Sequence, residues 1–404
     1  MSNVIRAAVE RRSDELVDLA RELVRRPSTL GDEAPAQEVV EERLRDAGFD
    51  VERVTPDADA ALADPYAGYP FLSYDGRSSV AARLRGSGGG RSIHLTGHVD
   101  VVPVEHPELW ARDPWAGDVE GGRMWGRGAG DMKGGLASYL VAATALAETH
   151  EGRRGDVVVS SVIEEECGGN GMWSVLRAGY DADATLIGES TELRLGRAGT
   201  GVVWARLSAA GGTGHAMFAA GEGAFDRLCR AVGALRRVEA ELNDPPVRDE
   251  VFAAVRERPY GMTVGRISGG VWTASTPHEL VAQIRFGFGR DTDPAEIQER
   301  MRAAVEEDAP GVEIRFEAFR ARAYAHPTAG PLADTVAAAH RDVVGGEPEP
   351  LTVTATTDAR YVEGPCFCYG PAAGNLHGTD EWVDVETLVQ TATVVALAAA
   401  EWTA

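Results

Sequence analysis

Apolar residues recur at helical spacing over residues 13–26, where Leu16, Leu19, Ala20, Leu23 and Val24 form one stripe. Ser13 can cap that helix and Pro27 ends it. A second helix is predicted at about 36–47 and a strand at 50–54, while 55–74, rich in Pro, Asp, Ala and Tyr, reads as a surface loop. Strand patterns then alternate with helical ones: strands at 79–84, 93–100, 156–163 and 184–187, helices at 135–148 and 172–178. Val157-Val158-Val159 and Ala184-Thr185-Leu186-Ile187 are apolar without interruption, which suits strands covered on both faces. That texture predicts an α/β fold with a mixed, largely parallel sheet.

The texture changes near residue 199. Residues 201–209 alternate like a strand with one exposed face, a long amphipathic helix follows at 224–242, and strands are expected at 262–267 and 280–288. A helix at 294–306 and a strand at 312–316 complete a strand-helix-strand-strand-helix-strand series. This is the split βαβ, ferredoxin-like arrangement, an antiparallel sheet with two helices on one face. The α/β pattern resumes with helices at 332–343 and 385–402 and a strand at 367–369. The expected organisation is therefore a first catalytic segment at 1–198, an inserted lid or dimerisation domain at 199–320, and the rest of the catalytic domain at 321–404.

Charge narrows the choice of partner. The net charge of −23, spread along all 404 residues, argues against nucleic acid or an anionic membrane, since either needs a basic patch. No apolar run approaches the ~20 residues of a membrane span, and the charged N-terminus lacks the apolar segment of a signal peptide. A cytoplasmic protein acting on a small molecule is expected. The four cysteines form no CxxC pair and are expected to be reduced and buried. Lys133 is the only lysine in the chain, and it stands in the most glycine-dense turn.

Candidate chemistry collects where strands end. His98 and Asp100 close the strand at 93–100, an imidazole with a carboxylate able to accept its second N–H. The glycine-rich turn 126–135 delivers Asp131 just ahead of a buried helix. Glu164-Glu165-Glu166 separate the strand at 156–163 from a glycine turn, Glu189 follows the strand at 184–187, and His377 lies in Gly374-Asn375-Leu376-His377-Gly378. Ligands of an open α/β sheet gather at the carboxyl ends of its strands. Two histidines with several carboxylates suit a divalent metal, zinc first.

The ordered motifs HxD, GRGxxDMKGG, EExGGNG, GES and GxxHGxDE resemble the dinuclear zinc amidohydrolases, among them acetylornithine deacetylase, succinyl-diaminopimelate desuccinylase, aminoacylases and related exopeptidases. The resemblance implies two divalent ions, zinc foremost with cobalt or manganese as substitutes. His98, Asp131 and Glu189 would hold one, and Asp131, Glu166 and His377 the other. It makes Asp100 the group that orients His98 and Glu165 the general base and acid for a water shared by the ions. It also implies a non-proline cis peptide at Asp131-Met132. His215 matches a histidine that reaches the partner subunit's active site and stabilises an oxyanion, so a homodimer through the inserted domain is expected. Arg285 and Arg360 are the two candidates to hold a substrate carboxylate.

Departures fall on the substrate side. Gly223 stands where relatives have an asparagine, Thr263 replaces another, and Val353-Thr354-Ala355-Thr356 replaces a glycine-rich approach. The reading that follows is a metal-dependent hydrolase of an N-acylated amino acid or similar small amine. Its alternatives are a dipeptidase or carboxypeptidase of the same family, or a catalytically silent binding module.

Overall fold

The strand expected at 93–100 runs as Ile93–His98 with every residue buried, near the middle of a nine-stranded mixed sheet. The structure, a computed structural model, describes residues 2–149, 152–215, 217, 221–244, 247 and 249–404. The strand order is Asp50–Val54, Ser79–Leu84, Val157–Val162, Ile93–His98, Thr185–Ile187, Cys366–Cys368, Leu195–Gly199 and Tyr324–Ala325, with Pro350–Thr352 beside Leu195–Gly199. Val157–Val162, Ile93–His98, Thr185–Ile187 and Cys366–Cys368 are mutually parallel, so their carboxyl ends share one edge. The flanking pairs are antiparallel, except that Pro350–Thr352 runs parallel to Leu195–Gly199.

Helices cover both faces. Gly134–Thr149 is apolar nearly all round because Ser2–Glu10, Ser13–Val24 and Val385–Trp402 pack about it. Asn170–Val175 covers the other face through Met172 and Val175 against Val158 and Val162. The lone lysine has a structural use: its fully buried Nζ donates to the carbonyls of Leu23 and Arg26, both at 2.9 Å, tying the end of helix Ser13–Val24 to the glycine turn.

His94 is equally buried and faces Ser160 Oγ at 2.8 Å. Burial first, with Arg83 adding to it, pushes its pKa from 6.5 down to about 3. A depressed histidine keeps its stabilising effect above 6.5 and loses it as pH falls toward 3, where only the unfolded chain takes up the proton. Between pH 7.5 and 5 the loss should reach about 2 kcal/mol. Urea unfolding at the two pH values, compared with His94→Gln, checks this; an equal fall in the variant would refute it.

The second sheet runs Met262–Gly269, Glu279–Phe288, Gly201–Ala210, Val312–Ala321, antiparallel throughout. Helices Ala224–Leu242 and Pro294–Asp308 cover one of its faces, where Val203, Ala205, Leu207 and Phe286 meet Leu228, Leu235, Ile297 and Met301. This is the strand order expected of a split βαβ unit.

Several local expectations need correction. The stretch 55–74 contains a short helix, Ala58–Ala63, capped by Asp57, and it is not all surface. Ala67 and Tyr74 are buried, and Asn170 bonds to Gly68 and to the Tyr74 hydroxyl. Residues 2–10 form a helix whose Ile5, Ala8 and Val9 are buried. Cys229 is exposed, whereas Cys167, Cys366 and Cys368 are buried as expected, and all four are free thiols. A small sheet of Asp118–Glu120, Arg123–Trp125, Trp382–Asp384 and Ala373–Gly374 has no counterpart in the sequence reading, its strands being too short for a period to register. No helix among the described residues is long and apolar enough to cross a membrane.

Candidate metal centre

Because the four central strands are parallel, the segments leaving their carboxyl ends converge. His98 is the last residue of its strand, Glu164–Glu166 follow the neighbour on one side, and Glu189 follows the neighbour on the other. Asp131 arrives from the turn before helix Gly134–Thr149, across a cis Asp131–Met132 peptide. His377 comes from the loop between Ala373–Gly374 and Trp382–Asp384.

Asp131 is central. Its Oδ1 lies 3.1 Å from His98 Nε2 and its Oδ2 lies 3.2 Å from His377 Nε2. Glu189 Oε1 stands 3.9 Å from the same His98 nitrogen, and Glu166 Oε2 stands 3.1 Å from the same His377 nitrogen. One carboxylate thus separates two half-sites, each with one imidazole and one further acid. Ligand atoms of His98, Asp131 and Glu166 lie within 4.8 Å of one another, as do those of His98, Glu165 and Glu189.

The electrostatics indicate a shortage of positive charge. Burial, then the charge of Asp131, raises Glu166 to about 7 and Glu189 well above the carboxylate range. Hydrogen bonds from His377 and His98 hold Asp131 low against its burial. The same contacts raise both imidazoles above their ordinary value. Glu166 Oε1 is buried with no hydrogen-bond partner. A buried group of carboxylates that favour protonation, one oxygen orphaned, is a donor set that divalent cations complete. Imidazole nitrogens with carboxylate oxygens suit zinc, cobalt or manganese.

Asp100 acts differently from a simple orienting carboxylate. His98 Nδ1 meets the Asp100 backbone carbonyl at 2.9 Å, while the nearer carboxylate oxygen is 3.7 Å away. The carboxylate accepts from the amides of Glu165 and Glu166, at 3.2 and 3.1 Å. Asp100 therefore fixes both the histidine and the acidic turn. Within that turn Glu164 adopts φ +67 and sends its carboxylate toward Cys167 and Tyr74, leaving Glu165 and Glu166 at the centre.

The two arginines separate. Arg360 is fully buried, 3.5 Å from Glu165 Oε1 and 3.6 Å from Asp358 Oδ1, and it donates to the Gly168 carbonyl. Its guanidinium stacks on Tyr361, 4.6 Å from the ring centre. Arg285, on strand Glu279–Phe288, has no carboxylate within ion-pair distance among the described residues; its side chain makes a long 3.5 Å contact to the Thr354 carbonyl. His215 is not part of the cluster. It lies exposed on the short pairing of Gly214–His215 with Ser275–Thr276, where its Nδ1 accepts from the Met217 amide at 3.1 Å.

The sequence reading gave no role to Arg127 and Glu381. Both are buried and paired with each other. Glu381 also accepts from the amides of Gly130 and Asp131, both at 3.0 Å, and Arg127 donates to the carbonyls of His377 and Gly378. The pair straps the Asp131 turn to the His377 loop. Both residues stand inside the motifs GRGxxDMKGG and GxxHGxDE, but residue type and spacing alone do not show that they meet.

A model of peptidase family M20/M25/M40 matches residues 94–401. A succinyl-diaminopimelate desuccinylase of Methylocella silvestris is 29% identical, the alignment covering 94% of this chain and 96% of that protein. Among solved structures, human carnosine dipeptidase 1 superposes with a TM-score of 0.81 at 14% identity over 100% of both chains. An M20 metallo-carboxypeptidase of Sulfolobus solfataricus gives 0.75 at 16% identity, over 95% of this chain and 99% of that one.

Proposed function

Since the chain belongs to peptidase family M20/M25/M40 and is a hydrolase of amide bonds, we propose that its substrate is an N-acylated amino acid or a related small amine. The observation that carries this is the split arrangement about Asp131, each oxygen facing a different histidine with a further acid beside it. His98 and Glu189 would hold one divalent ion, Glu166 and His377 the other, and Asp131 both. Held there, two divalent ions, zinc first, would supply the acidity for a water and the polarisation of the scissile carbonyl.

The chain's own groups supply the rest. Glu165 takes the proton of the attacking water and passes it to the leaving nitrogen, a role suited to a carboxylate beside the His98–Glu189 half-site. Arg360 and the Glu165 amide, held by Asp100, keep that carboxylate in place. Arg360 is occupied by two acids, so Arg285 is the better candidate to receive a substrate carboxylate. His215, exposed on a short strand, fits a role in which a second copy of the chain borrows it to stabilise the oxyanion. On that reading His215→Ala lowers kcat by a factor on the order of 10² with folding and metal content unchanged; a wild-type rate removes the assignment.

A dipeptidase or carboxypeptidase is the second reading, favoured by the folds of the solved relatives. Initial rates on a panel of N-acyl amino acids and a panel of dipeptides, with zinc or cobalt supplied, separate the two. Higher kcat/KM on the acylated panel is expected, and preference for dipeptides overturns the deacylase assignment.

A further inference from the structure

A cavity of about 360 Å³ runs between the acid cluster and the second sheet. Asp100 and Glu166 belong to its catalytic side, while Trp204, Gln283, Arg285 and Glu317 line it from the sheet face that the helices leave bare. Arg266 lines it too, from the edge strand Met262–Gly269. A β-bulge puts it there. Thr263 pairs with Arg285 and Val264 with Ile284, then the register shifts and Arg266 pairs with Gln283. Without the extra residue, Gly265, Arg266 would stand opposite Ala282, whose side the helices cover. The bulge thus makes Arg266 the diagonal neighbour of Arg285, a separation of roughly 7–8 Å in an antiparallel pair.

The charges on this wall do not balance. Arg285 is half-buried with only the long contact to the Thr354 carbonyl, and exposed Arg266 has neither an ion pair nor a hydrogen bond among the described residues. Arg206, opposite Gln283 on the next strand, has no acid partner there either. The acid of the wall, Glu317, is engaged by Gln283 at 2.7 Å and by Arg315 at 3.6 Å. Burial first, then the charge of Arg256, hold the Arg285 guanidinium below its ordinary pKa, so the neighbourhood is positive. Water alone would satisfy an arginine on a free edge. A bulge that turns one toward a second unpaired guanidinium, in a chain with 63 acidic residues, points instead to an anionic ligand.

Arg285 is the proposed receiver of the amino-acid carboxylate, and the scissile carbonyl belongs at the metal centre. A group that also reaches Arg266 therefore lies on the amine side of the scissile bond. We propose that Arg266 determines specificity by taking a second anionic group there, so that the substrates are N-acyl derivatives of dicarboxylic amino acids. This rests on the amide-hydrolase reading, so binding is measured apart from turnover. Calorimetry on zinc-supplied Glu165→Gln protein compares N-acetylglutamate with the isosteric N-acetylglutamine, and N-succinylglycine with its terminal amide. N-acetylglutamate should bind about tenfold or more tightly than N-acetylglutamine, and the ratio should shrink as salt rises from about 50 to about 500 mM. The acyl-side pair should differ little. Adding Arg266→Gln should bring the first ratio to about twofold with N-acetylglutamine binding unchanged, Arg266→Glu should reverse it, and Arg285→Gln should weaken both ligands. Equal binding of the first pair, a ratio that survives Arg266→Gln, or a charge preference as large on the acyl pair overturns the proposal. Wild-type turnover is scored separately: charge-selective binding without hydrolysis removes the reaction and leaves the arginine site, while hydrolysis without charge selection does the reverse.

Discussion

Glu165→Gln is expected to lower kcat by a factor on the order of 10³ while two divalent ions per chain remain bound. Glutamine matches glutamate in size and can still face Arg360, so the acidic turn keeps its shape. The turn is fixed through the backbone amides of residues 165 and 166 on Asp100, which the substitution does not touch. What glutamine lacks is a basic oxygen to take the water's proton and return it to the leaving nitrogen. Turnover on the preferred acyl substrate, with metal content by elemental analysis, checks both halves. Loss of metal would mean that Glu165 is a ligand and that the roles of Glu165 and Glu166 are exchanged.

Glu381→Ala should be the most damaging single change to stability away from the proposed ligands. The carboxylate is fully buried, pairs with buried Arg127 and accepts two backbone amides of the Asp131 turn. Removing it leaves a buried guanidinium uncompensated, at a cost of about 3–5 kcal/mol. The two loops it joins carry Asp131 and His377, so metal affinity should fall along with stability. Urea unfolding and a zinc titration measure the two effects, and Glu381→Gln, which keeps the shape and one acceptor, should be milder in both. A wild-type denaturation midpoint in the alanine variant would refute the strap.

How much could be read from the chain varies with the range of the forces involved. His98, the triplet Glu164–Glu166 and Glu189 stood out because they end or follow apolar strands, and parallel strands bring such positions to one edge; the choice within the triplet came from the resemblance. Helix Gly134–Thr149 was legible as buried because its apolar run shows no polar face. Glu381 was not, since its value depends on two loops meeting that lie some 250 residues apart in the chain. The stretch 55–74 misled because Ala, Asp and Pro speak for solvent, whereas Asn170 draws Gly68 and Tyr74 inward. Arg360 could not be told from Arg285 by residue type; burial against Glu165 and Asp358 distinguishes them.

Strand Cys366–Cys368 lies between Thr185–Ile187 and Leu195–Gly199, pairing with both. Those neighbours leave the ribosome well before the piece that fills the slot between them. A nascent chain must therefore wait with an open seam through its main sheet until residue 368 has been made. A product truncated before residue 366 would lack both the wedge that closes the seam and the imidazole of His377, leaving an exposed edge in place of an enzyme.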